Sequence, residues 1–335
     1  MSAKENMGSV EKIYRDADVD LSVLSGKVIA VIGYGIQGKV QAANCRDSGC
    51  KVIIGARPST ESKSREQAKA DGFEALSVAD ATKRADVLLI ELADPVQPSV
   101  YKKEIAPNLR AGQTLCFCHG FSVLYGQIEP PRDVNIVLYV PNAPGKFVRE
   151  KYLKGEGVYG CISVDQDATG NAKQIVLAIA KAVGSTRAGV VELSFQHETE
   201  GDNYEEQILY GGAIHLMKLC YQMMVEHGYP PSFAYAKAIR SLRSVIDVMD
   251  ENGIEDYLTG RCSRTCEFAV RTRGPRVINE AELRKIFDET EKGIFARDWM
   301  QEWSLGMPML HRLRRTAANS EMEKTGKSWR KEFGK

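Results

Sequence analysis

The chain has 335 residues, 43% hydrophobic and 27% charged, which are the proportions of a globular enzyme with room for two domains or one large α/β unit. Forty-five basic against forty-four acidic residues leave a net charge of +1, so nothing favours nucleic acid or an anionic membrane as partner, and a small-molecule substrate is expected. No window reaches the apolar length of a membrane span and the first twenty residues hold no signal-peptide core, so a cytoplasmic protein is expected.

Short β-branched runs come first: KVIAVIG (27–33), KVIIG (51–55), DVLLIEL (86–92), QTLCFCHG (113–120), NIVLYV (135–140) and CISV (161–164). Helical patterns separate them, and this alternation predicts a parallel sheet covered by helices on both faces. The first run leads into GYGIQG, where Gly33, Gly35 and Gly38 form G-x-G-x-x-G between a strand and a helix. Glycines there permit a tight turn, close approach of a pyrophosphate and close helix packing, and N–H groups at the helix start face the phosphates. The loop Gly33, Tyr34, Gly35, Ile36, Gln37 and Gly38 is therefore the candidate dinucleotide cradle, against the alternative of a glycine turn without function. After the second strand, GARPSTESKS (55–64) carries Arg57, Lys63 and the hydroxyls Ser62 and Ser64, which suit the 2′-phosphate of NADP. Glu61 argues the other way, because an acid at that place accepts from the bare ribose of NAD.

Beyond about residue 190 the strand signal ends, which divides the chain into an α/β part (1–190) and an all-helical part (191–335). The patterns EEQILYGGAIHLMKLCYQMMVEHG (205–228) and PSFAYAKAIRSLRSVIDVMDENG (231–253) predict long helices, the second opening at Pro231 and closing at Gly253. Eight cysteines without a C-x-x-C pair point to reduced, mostly buried thiols, although Cys262 and Cys266 could face each other on a helix. Within GDNYEEQ (201–207), Asp202 and Glu206 stand one helical turn apart, a spacing that offers oxygens to a divalent cation or makes an ordinary solvated acidic face.

Taken together, GYGIQG (33–38), LADPVQ (92–97), CHGFS (118–122), PNAPG (141–145), ETEGDNYEEQ (198–207) and FARDWMQEWSLGMP (295–308) resemble, in order and spacing, the short-form ketol-acid reductoisomerases. That resemblance spans nearly the whole chain. It implies a Rossmann domain for NADPH, a knotted all-α domain, an obligate homodimer or a multiple of it, and two magnesium ions that drive alkyl migration in a 2-hydroxy-2-methyl-3-keto acid before hydride transfer. It also implies that Arg57, Asp94, Gln97 and Gly145 contact the cofactor, that His119 is catalytic, that Asp202 and Glu206 bind metal, and that Ser263 binds substrate.

Three positions depart from the family. Its second pair of metal-binding glutamates falls on Lys237 and Ser241, and the lysine of its P-K-x-P-G motif falls on Asn142. Asp202 and Glu206 with Lys237 sum to −1, so one magnesium makes +1 and two make +3, a charge that a poorly solvated site tolerates badly. At most one magnesium is expected. Alkyl migration needs strong Lewis-acid polarisation, whereas hydride transfer needs a held nicotinamide and a proton donor or cation, for which His119 or Lys237 would serve. The leading expectation is an NADP-dependent reductase of a small keto acid or imine with the isomerase half impaired or lost, in a divergent paralogue. The alternatives are an active reductoisomerase of branched-chain amino-acid biosynthesis with a reorganised metal site, and a non-catalytic paralogue paired with a genuine reductoisomerase.

Overall fold

The computed structural model describes residues 12–58, 63–318 and 320–334. It divides into two compact units between Thr199 and Glu200.

In the first unit, the apolar runs become strands because they are buried on both faces of one sheet: β2 Val28–Ile32, β3 Lys51–Gly55, β5 Val87–Ile90, β6 Thr114–Phe117, β7 Asn135–Pro141 and β8 Gly160–Gln166. Three short strands complete it: β1 Ile13–Tyr14, β4 Glu74–Leu76 and β9 Val190–Glu192. The order is β1-β9-β8-β7-β6-β5-β2-β3-β4. From β4 to β7 every pairing is parallel, and the sequence 3-2-1-4-5-6 counted from β2 is that of the doubly wound dinucleotide fold. The expectation of a parallel sheet needs one correction. β8 runs antiparallel to β7, and β1 antiparallel to β9. The helix Gly145–Leu153 and a short loop separate β7 from β8 in the chain, and β8 extends the sheet in reverse.

One core layer joins the helices Ile36–Asp47 (α1) and Ala172–Val183 to the sheet through Ile29, Val31, Ile54, Leu89, Val137 and Ile162. The other layer is built on Ile32, Ile53, Leu88, Leu115 and Phe117. Between β2 and β5 the winding reverses, and there the strand ends leave a crevice.

The second unit is helical throughout its described residues. Its core is small: Tyr221, Ala234 and Tyr235, with Trp329 and Met322 packed against them. Gly326 permits this contact, since a Cβ there would lie 2.6 Å from the Tyr235 ring. Leu219, Phe268, Leu305 and Leu313 are more than half exposed, so the apolar stripes of these helices are largely uncovered within one chain. No helix among the described residues is long and apolar enough to cross a membrane.

Candidate active site

The glycine loop runs from β2 into α1 at the switch point. Gly33 has φ +102°, and a Cβ on it would stand 2.6 Å from the carbonyl oxygen of Glu91. A Cβ on Gly38 would overlap the Gly33 carbonyl and approach the Glu91 Cβ to 3.0 Å. Gly35, the N-cap of α1, is different: nothing lies within 4 Å of its Cβ position, which leaves open space where a diphosphate approaches the helix N-terminus. Ile36 and Gln37 begin α1; Ile36 is exposed, and Gln37 Nε2 donates to the Ala143 carbonyl at 3.0 Å. Gly145 closes the same corner, because its Cβ would meet the Ile36 carbonyl at 2.9 Å. Tyr34 is a scaffold residue: it is buried and donates its hydroxyl to Asp71 at 2.8 Å, and burial raises its pKa.

A cavity of about 220 Å³ opens on this loop, lined by Gly33, Gly35, Arg57, Ser64, Glu91 and Leu92 among others. Arg57 is exposed at the end of β3, and Ser64 is the first residue of the helix Ser64–Ala70. Ser62 and Glu61 lie outside the described residues. The cradle that side chains would fill, together with a cation at its rim, fits a phosphorylated dinucleotide.

At the end of β5 the chain turns through Asp94–Val96. Gln97 is buried and clips the turn, donating from Nε2 to the Leu92 carbonyl at 2.9 Å and to Asp94 Oδ1 at 3.2 Å. Asp94 Oδ2 in turn lies 2.9 Å from His119 Nδ1. His119 follows β6, and Gly120 is required beside it, because a Cβ there would strike the Phe195 ring and Thr199. The resemblance had separated these residues into cofactor contacts and a catalytic histidine; in the fold they form one hydrogen-bonded chain, Gln97 to Asp94 to His119.

Glu91 escaped the sequence reading. It lines the cavity, its carboxyl is hydrogen-bonded by Cys118 and Gln41, and burial pushes its pKa up to about 7. The signal was a single acid inside the apolar run VLLIEL.

In the helical unit, Phe195–Tyr204 continues without a break into a wide π turn, Glu205–Tyr210. Asp202 is half-buried and Glu206 exposed. Both act on the Tyr210 hydroxyl, whose pKa is raised by its bond to Glu205 first and then by the charges of Asp202 and Glu206. Lys237 sits in a second π turn, Ala236–Arg240. Among the described residues it makes no ion pair; its ammonium lies 5.5 Å from the Phe233 ring centroid. Ser241 ties its hydroxyl to the Ala236 carbonyl at 3.3 Å. Ser263 caps the helix Arg264–Arg273 by accepting from the Cys266 amide at 3.2 Å, and its exposed hydroxyl keeps its hydrogen to donate. Cys262 and Cys266 are in side-chain contact there. The thiols are less buried overall than expected: Cys45, Cys116 and Cys161 are buried, and the other five are partly or fully exposed.

Among the described residues no three His, Cys, Asp or Glu side chains converge on a metal position. Two carboxylates can anchor one magnesium whose octahedron is completed by waters, but they are too few for two ions. The residues of one chain therefore do not fit the family's metal pair.

The comparisons with known proteins decide the family. Residues 23–189 match the model described as "Acetohydroxy acid isomeroreductase, NADPH-binding domain", and residues 195–335 match "Ketol-acid reductoisomerase, C-terminal domain". The chain belongs to the ketol-acid reductoisomerase family. It is 44% identical over 324 residues to the ketol-acid reductoisomerase (NADP(+)) of Caldivirga maquilingensis, covering 96% of this chain and 98% of that one. It is also 44% identical over 332 residues to that of Pyrococcus abyssi, covering 98% and 99%. Among solved structures, an NADH-preferring ketol-acid reductoisomerase from an uncultured archean superposes with a TM-score of 0.91 at 37% identity, covering 97% of this chain and all of that one. The chain is thus an NADP-dependent oxidoreductase of the short-form ketol-acid reductoisomerases, with a Rossmann-like domain followed by an all-helical one.

A reductoisomerase relative that prefers NADH makes Arg57 worth testing in this member. Arg57→Ala is expected to weaken NADPH binding by about ten- to a hundredfold, the loss of one charge-assisted hydrogen-bonding group, and to leave NADH binding nearly unchanged. Titration of both cofactors by fluorescence checks it; an equal loss for the two would remove Arg57 from recognition of the 2′-phosphate.

Proposed function

We propose that this chain is an NADPH-dependent ketol-acid reductoisomerase with a reorganised metal site, acting on a 2-hydroxy-2-methyl-3-keto acid such as 2-acetolactate. The observation that carries this reading is the 44% identity over 96% of the chain to a ketol-acid reductoisomerase (NADP(+)). It replaces a pure reductase as the leading interpretation. The reaction moves an alkyl group from C2 to C3, leaving a 3-hydroxy-2-keto acid, and then reduces the new C2 carbonyl.

Bound NADPH supplies the hydride. The glycine loop of Gly33, Gly35 and Gly38 holds the diphosphate, with Arg57, Ser62 and Ser64 at the 2′-phosphate. His119, oriented by Asp94 and indirectly by Gln97, provides the proton for the oxygen that becomes an alcohol. Ser263 donates to the substrate. Asp202 and Glu206 hold at most one divalent ion, and Lys237 supplies a cation where the family has a carboxylate. The uncovered apolar stripes of the helical unit are the surface by which two chains form a homodimer. The cofactor half is 1–190 and the helical half 191–335.

One specific observation favours a second reading, hydride transfer without alkyl migration: Lys237 and Ser241 stand where the family's second glutamate pair is expected. Supplying NADPH and magnesium with 2-acetolactate, and separately with the rearranged 3-hydroxy-3-methyl-2-oxobutanoate, divides the readings. A reductoisomerase oxidises NADPH with both; a reductase does so only with the second. No turnover with either contradicts both.

A further inference from the structure

Glu91 packs behind the glycine loop, against the backbone of Gly33 and Gly38, and lines the cofactor cavity. The groups that face its carboxyl come from two further elements. From α1 come Gln41, which is buried and hydrogen-bonds to it, and Cys45; from β6 and the residue after it come Cys116 and Cys118. Gln41 Nε2 also reaches Cys118 Sγ at 3.5 Å, which makes one local network of carboxyl, thiol and amide. Desolvation pushes the pKa of all three thiols up, the charge of Glu91 reinforces this, and Glu198 acts on Cys118 in the same sense. None of these groups is a cation. His119, beside Cys118, is engaged with Asp94, and Arg57 of the same cavity is not among the partners of Glu91.

Among the described residues no cation faces this carboxyl, and a bound dinucleotide adds the negative charges of its diphosphate at the same loop. Like charges brought together in a partly buried site disfavour ionisation of the group that can take a proton.

We propose that Glu91 is a proton-binding site linked to the dinucleotide: its carboxyl, where ionised in the free protein, takes up protons from solvent as NADPH binds and returns them as the cofactor leaves. This rests on the cavity being the NADPH site. The free protein holds the proton up to about pH 7, and the cofactor moves that limit higher. Affinity is therefore flat at low pH, where both states are protonated, and falls as pH rises through the free-state value.

Over pH 7 to 9, NADPH affinity is expected to drop by about fivefold, the part of a one-unit shift in a linked group that falls above the free-state value. Calorimetric titration of NADPH into the full-length protein at pH 7.5, in two buffers of different ionisation enthalpy, should show net proton uptake. Glu91→Gln should abolish both the uptake and the slope while binding NADPH at pH 9 at least as tightly as the unsubstituted protein does. The pH range lies above the titration of the cofactor's 2′-phosphate, so the unsubstituted protein alone tests the claim if the variant does not fold. A flat affinity with no proton uptake overturns the linkage and leaves the cofactor site intact. Absence of NADPH binding at every pH overturns the cofactor reading, and the linkage with it.

Discussion

Gly38→Ala is expected to destabilise the N-terminal unit by about 3 kcal/mol and to weaken NADPH binding more than tenfold, roughly the upper end for a methyl forced into a packed backbone contact. Its Cβ would overlap the Gly33 carbonyl and press on Glu91, and neither neighbour is the free end of a flexible side chain. The loop must shift, and with it the N–H groups of α1. Gly35→Ala is the comparison: its Cβ meets nothing within 4 Å, so the thermal midpoint should hardly move while cofactor affinity falls, because the methyl occupies the space left for the diphosphate. Thermal scans and NADPH titration of the two variants check the contrast. Equal losses of stability would show that the third glycine is not the packing contact described.

The second large effect concerns the metal site. Lys237→Glu with Ser241→Glu is expected to tighten magnesium binding by about a hundredfold, since affinity at oxygen sites follows the number of charged ligands. The change converts a group of net charge −1 (Asp202, Glu206 and Lys237) to −4. Both positions are exposed, and both lie at the π turn Ala236–Arg240, so the exchange should leave the fold in place. Adding Asn142→Lys should raise the rate of acetolactate isomerisation further. Magnesium calorimetry on the double variant reads the effect, and unchanged affinity would show that these positions do not face the acidic pair in the assembled enzyme.

The strands legible in the sequence are those whose burial on both faces gives long β-branched runs; KVIIG becomes β3 residue for residue. β1, β4 and β9 have two or three residues each and are fixed by pairing with neighbouring strands, which leaves no local pattern. The reversed direction of β8 was equally hidden, because an apolar strand reads the same in both directions. The two long helical patterns were found, yet the π turns at Glu205–Tyr210 and Ala236–Arg240 were not, since one added residue per turn does not disturb an apolar stripe enough to be seen. Those turns carry Glu206 and Lys237. The glycine loop was legible because steric need dictates residue type at Gly33 and Gly38. Asp94 and His119 could be singled out only by resemblance, because their pairing joins the ends of adjacent strands 25 residues apart. Glu91 shows the converse: the sequence displayed it, but its meaning depends on Gln41 and Cys118, which only the fold brings beside it.

Calorimetric titration of magnesium into the NADPH-saturated, unsubstituted protein tests most directly the proposal that Lys237 and Ser241 leave this ketol-acid reductoisomerase family member with a reduced set of metal donors. At most one weakly bound ion per chain is expected; two tightly bound ions per chain would contradict it.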